Sequence, residues 1–545
     1  MPSRACEFKS RLGHHIKYDT GSLTSRGWLP VSFSIMANKI RELRGLNREK
    51  QEALCVHPKW QAADLGKALP DSPHATSVCL PLWSHVVGYE EGDPAVRDRL
   101  ATGYPRFIFQ PAVQQLFAQV KAEHGDDGED ALVFPSLQTA ERCVAFMERQ
   151  GATGRIVSLD NAHHAVLFPE DDFLHAKGFW QHFGYITSSR RALSYLEGRE
   201  STDPSQSKRV KQILNDRLAG FSGMDPDDVW LYPSGMAAMS DALRATQTCT
   251  PGAKTIQLGF PYVDGLKIQR QSGAGCHFIP AIGEEAFTQL EALLKSEPIA
   301  GVFSEVPGNP LLQCFDVPRL SELLHQFNVP FFIDDTVATF ANVDLLAYVD
   351  GIATSLTKLV SGKGDVIAGS LILNSQSPLH EKLQDAIEAK YEDLLWYEDA
   401  VVLEQNSRDF LERSQHINTT AEALCDWLNG HSKVERVHYP KYESREAYDA
   451  IRRPDGGYGG LFSVVLKDAE VHTPKFFDAL AITKGPSLGT NFSLACPFTL
   501  LAHYHELDWA EEQGVSRWLI RISIGLESLD DLKQRFTDAF EVAWR

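Results

Sequence analysis

The chain has 545 residues, 43% of them hydrophobic and 23% charged, with a formal net charge of -19 and a pI near 5.5. That length buries more than one core, so two or three domains are expected. So acidic a balance excludes reliance on nonspecific attraction to nucleic acid or an anionic membrane, and small ligands are expected. Cys6, Cys55, Cys79, Cys143, Cys249, Cys276, Cys314, Cys425 and Cys496 are scattered singly with no CxxC, the pattern of reduced thiols in a cytosol-like compartment. No apolar stretch approaches the ~18 to 20 residues of a membrane span, and the first residues lack the apolar core of a secretory signal. A cytoplasmic protein with neither nucleic-acid nor membrane partner is expected.

Over the first 40 residues Arg4, Lys9, Arg11, Lys17, Arg26 and Lys39 are opposed only by Glu7 and Asp19. No amphipathic Arg helix emerges, so this stretch reads as a tail, or as sequence ahead of a true start at Met36. A mitochondrial presequence is the alternative. Residues 1–75 are taken as an N-terminal extension of disordered character and 76–205 as an elaborated N-terminal segment. The latter has apolar runs ALVF (131–134) and AVLF (165–168) around a helical pattern at 140–147. Val210, Ile213, Leu214 and Leu218 recur at helical spacing, with Gly220 as the expected stop.

From 229 to 374 short apolar runs (VWLY, KTIQLGF, IAGVFSE, VPFFID, GIATS, VIAGSLIL) alternate with helical segments. Near-continuous apolar strands of this kind suit a parallel sheet covered on both faces. The fold class is therefore α/β, with a mainly parallel large domain over 206–385 and a smaller α/β domain over 386–545. Residues 379–428 read as a helical connector. VERVHY, GGLFSVVL, WLIRISIGLES and a helix after Ser528 build the small domain. No internal repeat is evident.

Three features carry chemistry. Ser234-Gly235-Met236 follows the strand VWLYP and opens a helix-favouring run; bare N–H groups at a helix start suit a phosphate, although an ordinary capped helix has the same pattern. Asp334 and Asp335 close the strand FFI at its carboxyl end, where open α/β sheets place ligands. A buried carboxylate there suits a protonated pyridine nitrogen, and a turn or cap is the bland alternative. Lys358, in Ser355-Leu356-Thr357-Lys358, closes the next strand, a rigid support for a Schiff-base lysine; a snorkelling surface lysine is the alternative.

SGMAA (234–238), EVPGNPLL (305–312), IDDTVATF (333–340), TSLTK (354–358) and LIRISIGLE (519–527) together resemble the Cys/Met-metabolism PLP family of cystathionine γ-synthases, cystathionine lyases and homoserine sulfhydrylases. The resemblance runs from about Tyr104 to the C-terminus. It is closest to the long fungal-type cystathionine γ-synthases, through VGYEEGDPAVRDRLATGYPRF (87–107), KGFWQHFGYITSSRRA (177–192) and PFTLLAHYHELDWAEEQGVSRWLIRISIGLES (497–528). It implies an aminotransferase-like (fold type I) large domain with pyridoxal 5'-phosphate as cofactor and no metal. By position it makes Lys358 the Schiff-base lysine and Asp334 the partner of the pyridine nitrogen. Gly235, Met236, Ser355 and Thr357 become phosphate ligands, Tyr262 stacks on the ring, and Asn309 lies near its hydroxyl. Arg521 clamps the substrate carboxylate, Ser487 sits beside the lysine, and Tyr104 and Arg106 reach the phosphate of a neighbouring subunit. A homodimer or homotetramer follows from that last assignment. The chain departs from the family pattern at YPRF, at DDT in place of DNT, and at SGKGD after the lysine.

The same resemblance implies an amino-acid substrate with a γ leaving group, namely O-acetyl- or O-succinyl-homoserine, and L-cysteine as the default nucleophile, giving cystathionine. Lys358 and Tyr262 are the expected proton carriers. A carbon nucleophile in a specialised biosynthetic pathway, or elimination at the γ or β carbon, are the enzymatic alternatives. A noncatalytic scaffold is disfavoured by the joint presence of Lys358, Asp334, Tyr262 and Arg521. Trp180, His182, Arg190 and Arg191 are read as packing rather than as an acceptor pocket. His163, His164, His503 and His505 have no metal-ligand spacing.

Overall fold

The computed structural model describes residues 53–199 and 204–545. Met36 and the basic stretch lie outside the described residues. Residues 53–75, expected to belong to a disordered extension, are folded instead. Leu54 and Leu69 pack with Phe492 and Leu494, and the Lys484 N–H donates to the Lys59 carbonyl at 3.0 Å. Their few apolar positions are spread too thinly to give a periodic signal, and long-range partners order them.

The elaborated segment builds a small layered unit. Helix α1 (Pro111–His124) leads to strand β1 (Glu129–Phe134) and helix α2 (Leu137–Glu148). Strands β2 (Arg155–Ser158) and β3 (His164–Pro169) follow, with β3 central and antiparallel to both neighbours, and then helix α3 (Phe173–Phe183). Ser136 caps α2 by accepting from the Thr139 N–H at 3.1 Å. The core of this unit centres on Trp180, wholly buried, with Phe109, Phe117 and Phe134 around it at ring separations of 5.5, 5.4 and 5.8 Å. Two buried arginines pin the unit to the rest of the chain. Arg190 bonds Asp399 and the Asp365 carbonyl, both at 2.9 Å, and Arg191 donates to the Pro135 carbonyl at 2.6 Å and the Leu394 carbonyl at 3.4 Å. Packing is thus the role of Trp180, Arg190 and Arg191.

The helix expected near 210 spans Pro204–Ser222 and runs past Gly220, which sits on its exposed face. Beyond it lies a seven-stranded sheet of β4 (Val229–Tyr232), β5 (Lys254–Leu258), β6 (Cys276–Ile279), β7 (Ile299–Glu305), β8 (Phe331–Asp334), β9 (Gly351–Thr354) and β10 (Gly369–Leu373). The order is β4-β10-β9-β8-β7-β5-β6, parallel from β9 to β6 and antiparallel where β10 meets β9 and β4. In β8, Phe331 and Ile333 join one core while Phe332 joins the other, so both faces are covered. The second core is continuous with that of the N-terminal unit, whose Trp180 and Phe134 belong to it with Phe303 and Phe332. Strand β6 escaped the sequence reading because it is a half-buried edge strand, CHFI, with no continuous apolar run.

The C-terminal domain carries a five-stranded sheet between Val434 and Ser523, closed by a helix Leu529–Ala543 that Ser528 caps. No described helix is long and apolar enough to cross a membrane. Trp180→Ala should cost about 3 to 5 kcal/mol through the cavity it leaves, seen as a lowered urea midpoint, whereas Trp180→Phe should recover much of the loss. An unchanged midpoint would contradict the place given to this ring.

Candidate functional site

The site forms where β4, β7, β8 and β9 deliver their carboxyl ends. After β4, Ser234 caps helix α4 (Gly235–Cys249): its hydroxyl accepts from the Ala237 N–H at 3.1 Å and donates to the Gly184 carbonyl at 2.8 Å. Gly184 has φ +77°, and a Cβ there would lie 2.3 Å from Ser234 Oγ. The glycine that ends α3 therefore lets the N-terminal unit close on this turn. A Cβ on Gly235 would meet the Ser355 Cβ at 2.7 Å, so only glycine fits between α4 and the end of β9. Beside it the Ser355 hydroxyl is buried without a partner.

Lys358 follows in the turn after β9. Its Nζ donates to Ser487 Oγ at 3.0 Å and lies 4.2 Å from the centroid of the Tyr104 ring. Burial holds its pKa well below the usual lysine value, and the positive charges of Arg521 and Arg106 lower it further. A lysine shifted in this direction is a better nucleophile than an exposed one.

Asp334 and Glu305 end neighbouring strands in register with each other. Burial raises both carboxyls. Glu305 reaches about 8, through burial first and the adjacent Asp334 charge second. Asp334 is held by the Thr336 N–H at 2.9 Å and carries the negative charge of the pair. Glu305 accepts from the Tyr262 N–H at 2.5 Å and the Asn309 N–H at 3.2 Å, fixing the backbones of both residues. Its signal was present in the sequence, since IAGVFSE ends on it as FFID ends on Asp334.

Arg521, on the strand Ile520–Ser523, donates to the Pro486 carbonyl at 2.6 Å, the Ser487 carbonyl at 3.2 Å and Asn309 Oδ1 at 3.3 Å. Tyr262 precedes helix α5 (Val263–Arg270) and its hydroxyl accepts from Arg106 Nη2 at 2.8 Å. Arg106, 2% exposed, also donates through Nη1 to Asp264 at 2.6 Å and to the Gln181 carbonyl. His182 Nδ1 contacts the other Asp264 oxygen at 2.7 Å. Asp264 stands two residues beyond Tyr262 and was passed over for want of any pattern.

Gly235, Met236, Ser355, Asp334, Asn309, Tyr262, Tyr104, Arg106, Lys358 and Arg521 all line one cavity of about 510 Å³, and Ser487 touches it through Lys358. Thr357 does not join them. Its hydroxyl donates to the Ala368 carbonyl at 3.2 Å and accepts from the Ala368 N–H at 3.0 Å, so its polar capacity is spent on the neighbouring loop. Tyr104 and Arg106, expected to serve a neighbouring subunit, enter the cavity of their own chain. The lining of the same cavity also includes the apolar side chains of Phe107, Ile108 and Leu501, with Tyr89 and with Glu90, which burial raises to about 7.

Among the described residues no group of three or more His, Cys, Asp or Glu could hold a metal ion. His163 pairs with Asp160 and His503 with Glu506. The residues do fit pyridoxal phosphate: an unpartnered Ser355 hydroxyl at a helix N-terminus whose glycine admits no Cβ suits the phosphate, and Lys358 and Asp334 suit the aldehyde and the ring nitrogen.

Asp335, where the usual pattern has asparagine, accepts from Thr354 Oγ1 at 2.5 Å and is 1% exposed. Burial raises it to about 8, so it stands neutral at pH 7, as an asparagine would. The folded state keeps a proton that the unfolded state releases near 3.8, so this group's contribution to stability is lost as pH rises through 8. Asp335→Asn should remove a slope of up to about 1.4 kcal/mol per pH unit, so its Tm advantage over wild type should widen from pH 5 to 8 and then level off. Parallel Tm curves would contradict this protonation state.

Residues 206–541 match the family described as Cys/Met metabolism PLP-dependent enzyme, and residues 112–188 match the N-terminal domain of fungal trans-sulfuration enzymes. Cystathionine gamma-synthase of Neurospora crassa is 34% identical, over 88% of this chain and 98% of that protein. The cystathionine gamma-synthase-like enzyme iboG2 of Amanita muscaria is also 34% identical, over 87% and 95%. The solved cystathionine gamma synthase of Xanthomonas oryzae pv. oryzae, in complex with cystathionine, aligns with 64% of this chain and 89% of its own. Its TM-score is 0.55 at 22% identity, a likeness of fold.

Proposed function

The chain belongs to the Cys/Met-metabolism PLP-dependent enzymes, and from that membership we propose that it is a transferase replacing the γ-substituent of an O-acyl-L-homoserine. L-Cysteine is the default nucleophile and cystathionine the product. The reading rests on the placing of Lys358, a buried amine whose pKa is held well below the usual lysine value, which shares one cavity with Arg521 and is oriented by Ser487 at 3.0 Å.

Replacement at Cγ requires protons to leave both Cα and Cβ before the leaving group departs. When bound, the cofactor ring supplies the electron sink for charge left on Cα. Arg521 binds the substrate carboxylate through its planar fork, held in place by Asn309 and by the carbonyls of Pro486 and Ser487. Lys358 takes the proton from Cα, and its flexible stem lets the same nitrogen serve Cβ. Tyr262 keeps its hydroxyl fixed against Arg106 at 2.8 Å and steers protons over the reacting face. Asp334 supplies the buried negative charge that favours a protonated ring nitrogen.

The apolar side chains of Phe107, Ile108 and Leu501 in the cavity lining favour a second reading, in which a carbon acid replaces the thiol. Glu90, in the same lining and at about 7, is poised to act as a base near neutral pH. O-acetyl-L-homoserine offered with cysteine, and separately with a β-dicarbonyl, separates these readings when products are followed by mass spectrometry. Cystathionine is the expected dominant product, and Lys358→Ala should lower its rate by roughly a thousandfold or more. A carbon-linked adduct would establish the second reading, and 2-oxobutanoate alone would overturn both in favour of elimination.

A further inference from the structure

Three side chains that line the cavity of Lys358 keep a buried polar atom without a partner: Ser355 its hydroxyl, Arg106 its Nε and His503 its Nε2. The first two suit an anion such as the cofactor phosphate. His503 is left over, and an unpaired buried polar atom in a cavity calls for a ligand. On the reading that the reaction is γ-replacement, we infer that His503 is the proton acceptor for the incoming nucleophile, the thiol of L-cysteine.

Residues 501–506 form one stretch of the cavity lining, and within it the Glu506 carboxylate lies 2.7 Å from His503 Nδ1. A carboxylate there takes the Nδ1 hydrogen bond and leaves Nε2 as a bare lone pair. The ring is 3% exposed and packs against Phe260 and Trp509 at centroid separations of 5.2 and 5.6 Å, which fixes its orientation. Burial lowers its pKa below the ordinary 6.5; Glu506 opposes that shift and Lys267, on α5, adds to it. The imidazole is therefore free to accept a proton at pH 7. Phe498 is the common neighbour of the His503 ring, 6.1 Å away, and of Arg521, whose Cζ lies 5.0 Å from its centroid. His503 thus stands one aromatic ring from the group that would hold the first substrate's carboxylate, a place suited to the second substrate.

The other candidates are committed or unoriented. Lys358 serves Cα and Cβ, and Tyr262, pinned to Arg106 at 2.8 Å, is kept a neutral phenol by burial, which raises its pKa well above 10. Glu90 is only half-buried and has just the charge of Arg97 beside it. In the step, the S–H bond breaks as its proton passes to His503 Nε2, and the sulfur electron pair forms the C–S bond at Cγ. The acyl group has already left as a carboxylate with its own electron pair. The imidazolium, stabilised by Glu506, then yields its proton to solvent.

The test compares the wild-type holoenzyme with its His503→Gln variant, using O-acetyl-L-homoserine with L-cysteine across neutral pH. In wild type kcat/KM for cysteine should be nearly flat up to the thiol pKa of about 8.5. In the variant it should follow the thiolate fraction, rising about tenfold per pH unit, and lie roughly a hundredfold below wild type at pH 7. L-Selenocysteine, whose selenol is already ionised at neutral pH, should restore most of that loss. kcat/KM for O-acetyl-L-homoserine, which reports the steps before the nucleophile enters, should change by less than about threefold. Equal losses with cysteine and selenocysteine would make His503 a packing residue and overturn the inference, as would an unchanged pH profile. Should His503→Gln fail to fold, Glu506→Gln takes its place, with a loss of roughly tenfold for cysteine and the same rescue expected. A wild type that makes no cystathionine would overturn the γ-replacement reading and this role with it, whereas cystathionine formation untouched by the variant overturns this role alone.

Discussion

Lys358, Arg106 and Arg521 share one buried cavity, and among the described residues no carboxylate forms an ion pair with the lysine. Burial disfavours the charged amine first, and the positive charges of Arg521 and Arg106 add to that. The arginines have partners built in: Asp264 for Arg106, and for Arg521 the amide oxygen of Asn309 with two backbone carbonyls. The lysine's hydrogen bond is to a neutral hydroxyl, Ser487 Oγ, at 3.0 Å. On the proposed function, the two arginines supply positive potential for two anions, a phosphate at the start of α4 and a substrate carboxylate at Arg521. Activation of the nucleophile and recognition of both ligands would then share one buried arrangement of charge.

Each element of the fold can be read as holding a member of that set. Strand β9 delivers Lys358, β8 and β7 deliver Asp334 and Glu305, and the C-terminal sheet delivers Arg521 with the Pro486-Ser487 turn. Glu305 works through its neighbours, since its two oxygens tie down the backbones of Tyr262 and Asn309. The N-terminal unit contributes Arg106 and shares a continuous core with one face of the central sheet. It is part of the site's wall rather than an appendage.

The sheet was legible because its strands are short, continuous apolar runs, and Lys358, Asp334 and Gly235 were legible because they sit where such runs end. Position along a strand carries that information. What escaped was set by long-range contact. Asp264 is an ordinary acidic residue until the fold brings Arg106 and His182 to it, 158 and 82 residues away in sequence. Thr357 looked like a phosphate donor by its place beside Ser355, yet the loop at Ala368 consumes its hydroxyl. The partner-subunit reading of Tyr104 and Arg106 came from resemblance alone, and nothing in YPRF says which chain it enters.

The central claim, that a depressed amine at Lys358 is the covalent anchor, is tested most directly by trapping it. Lys484 is the natural rival, being wholly buried with its pKa lowered to about 7. The protein would be loaded with pyridoxal phosphate at neutral pH, reduced with borohydride, digested and sequenced by mass spectrometry. The account predicts a single phosphopyridoxyl-lysine at position 358. Label at Lys484, or spread over surface lysines with position 358 unmodified, would contradict it.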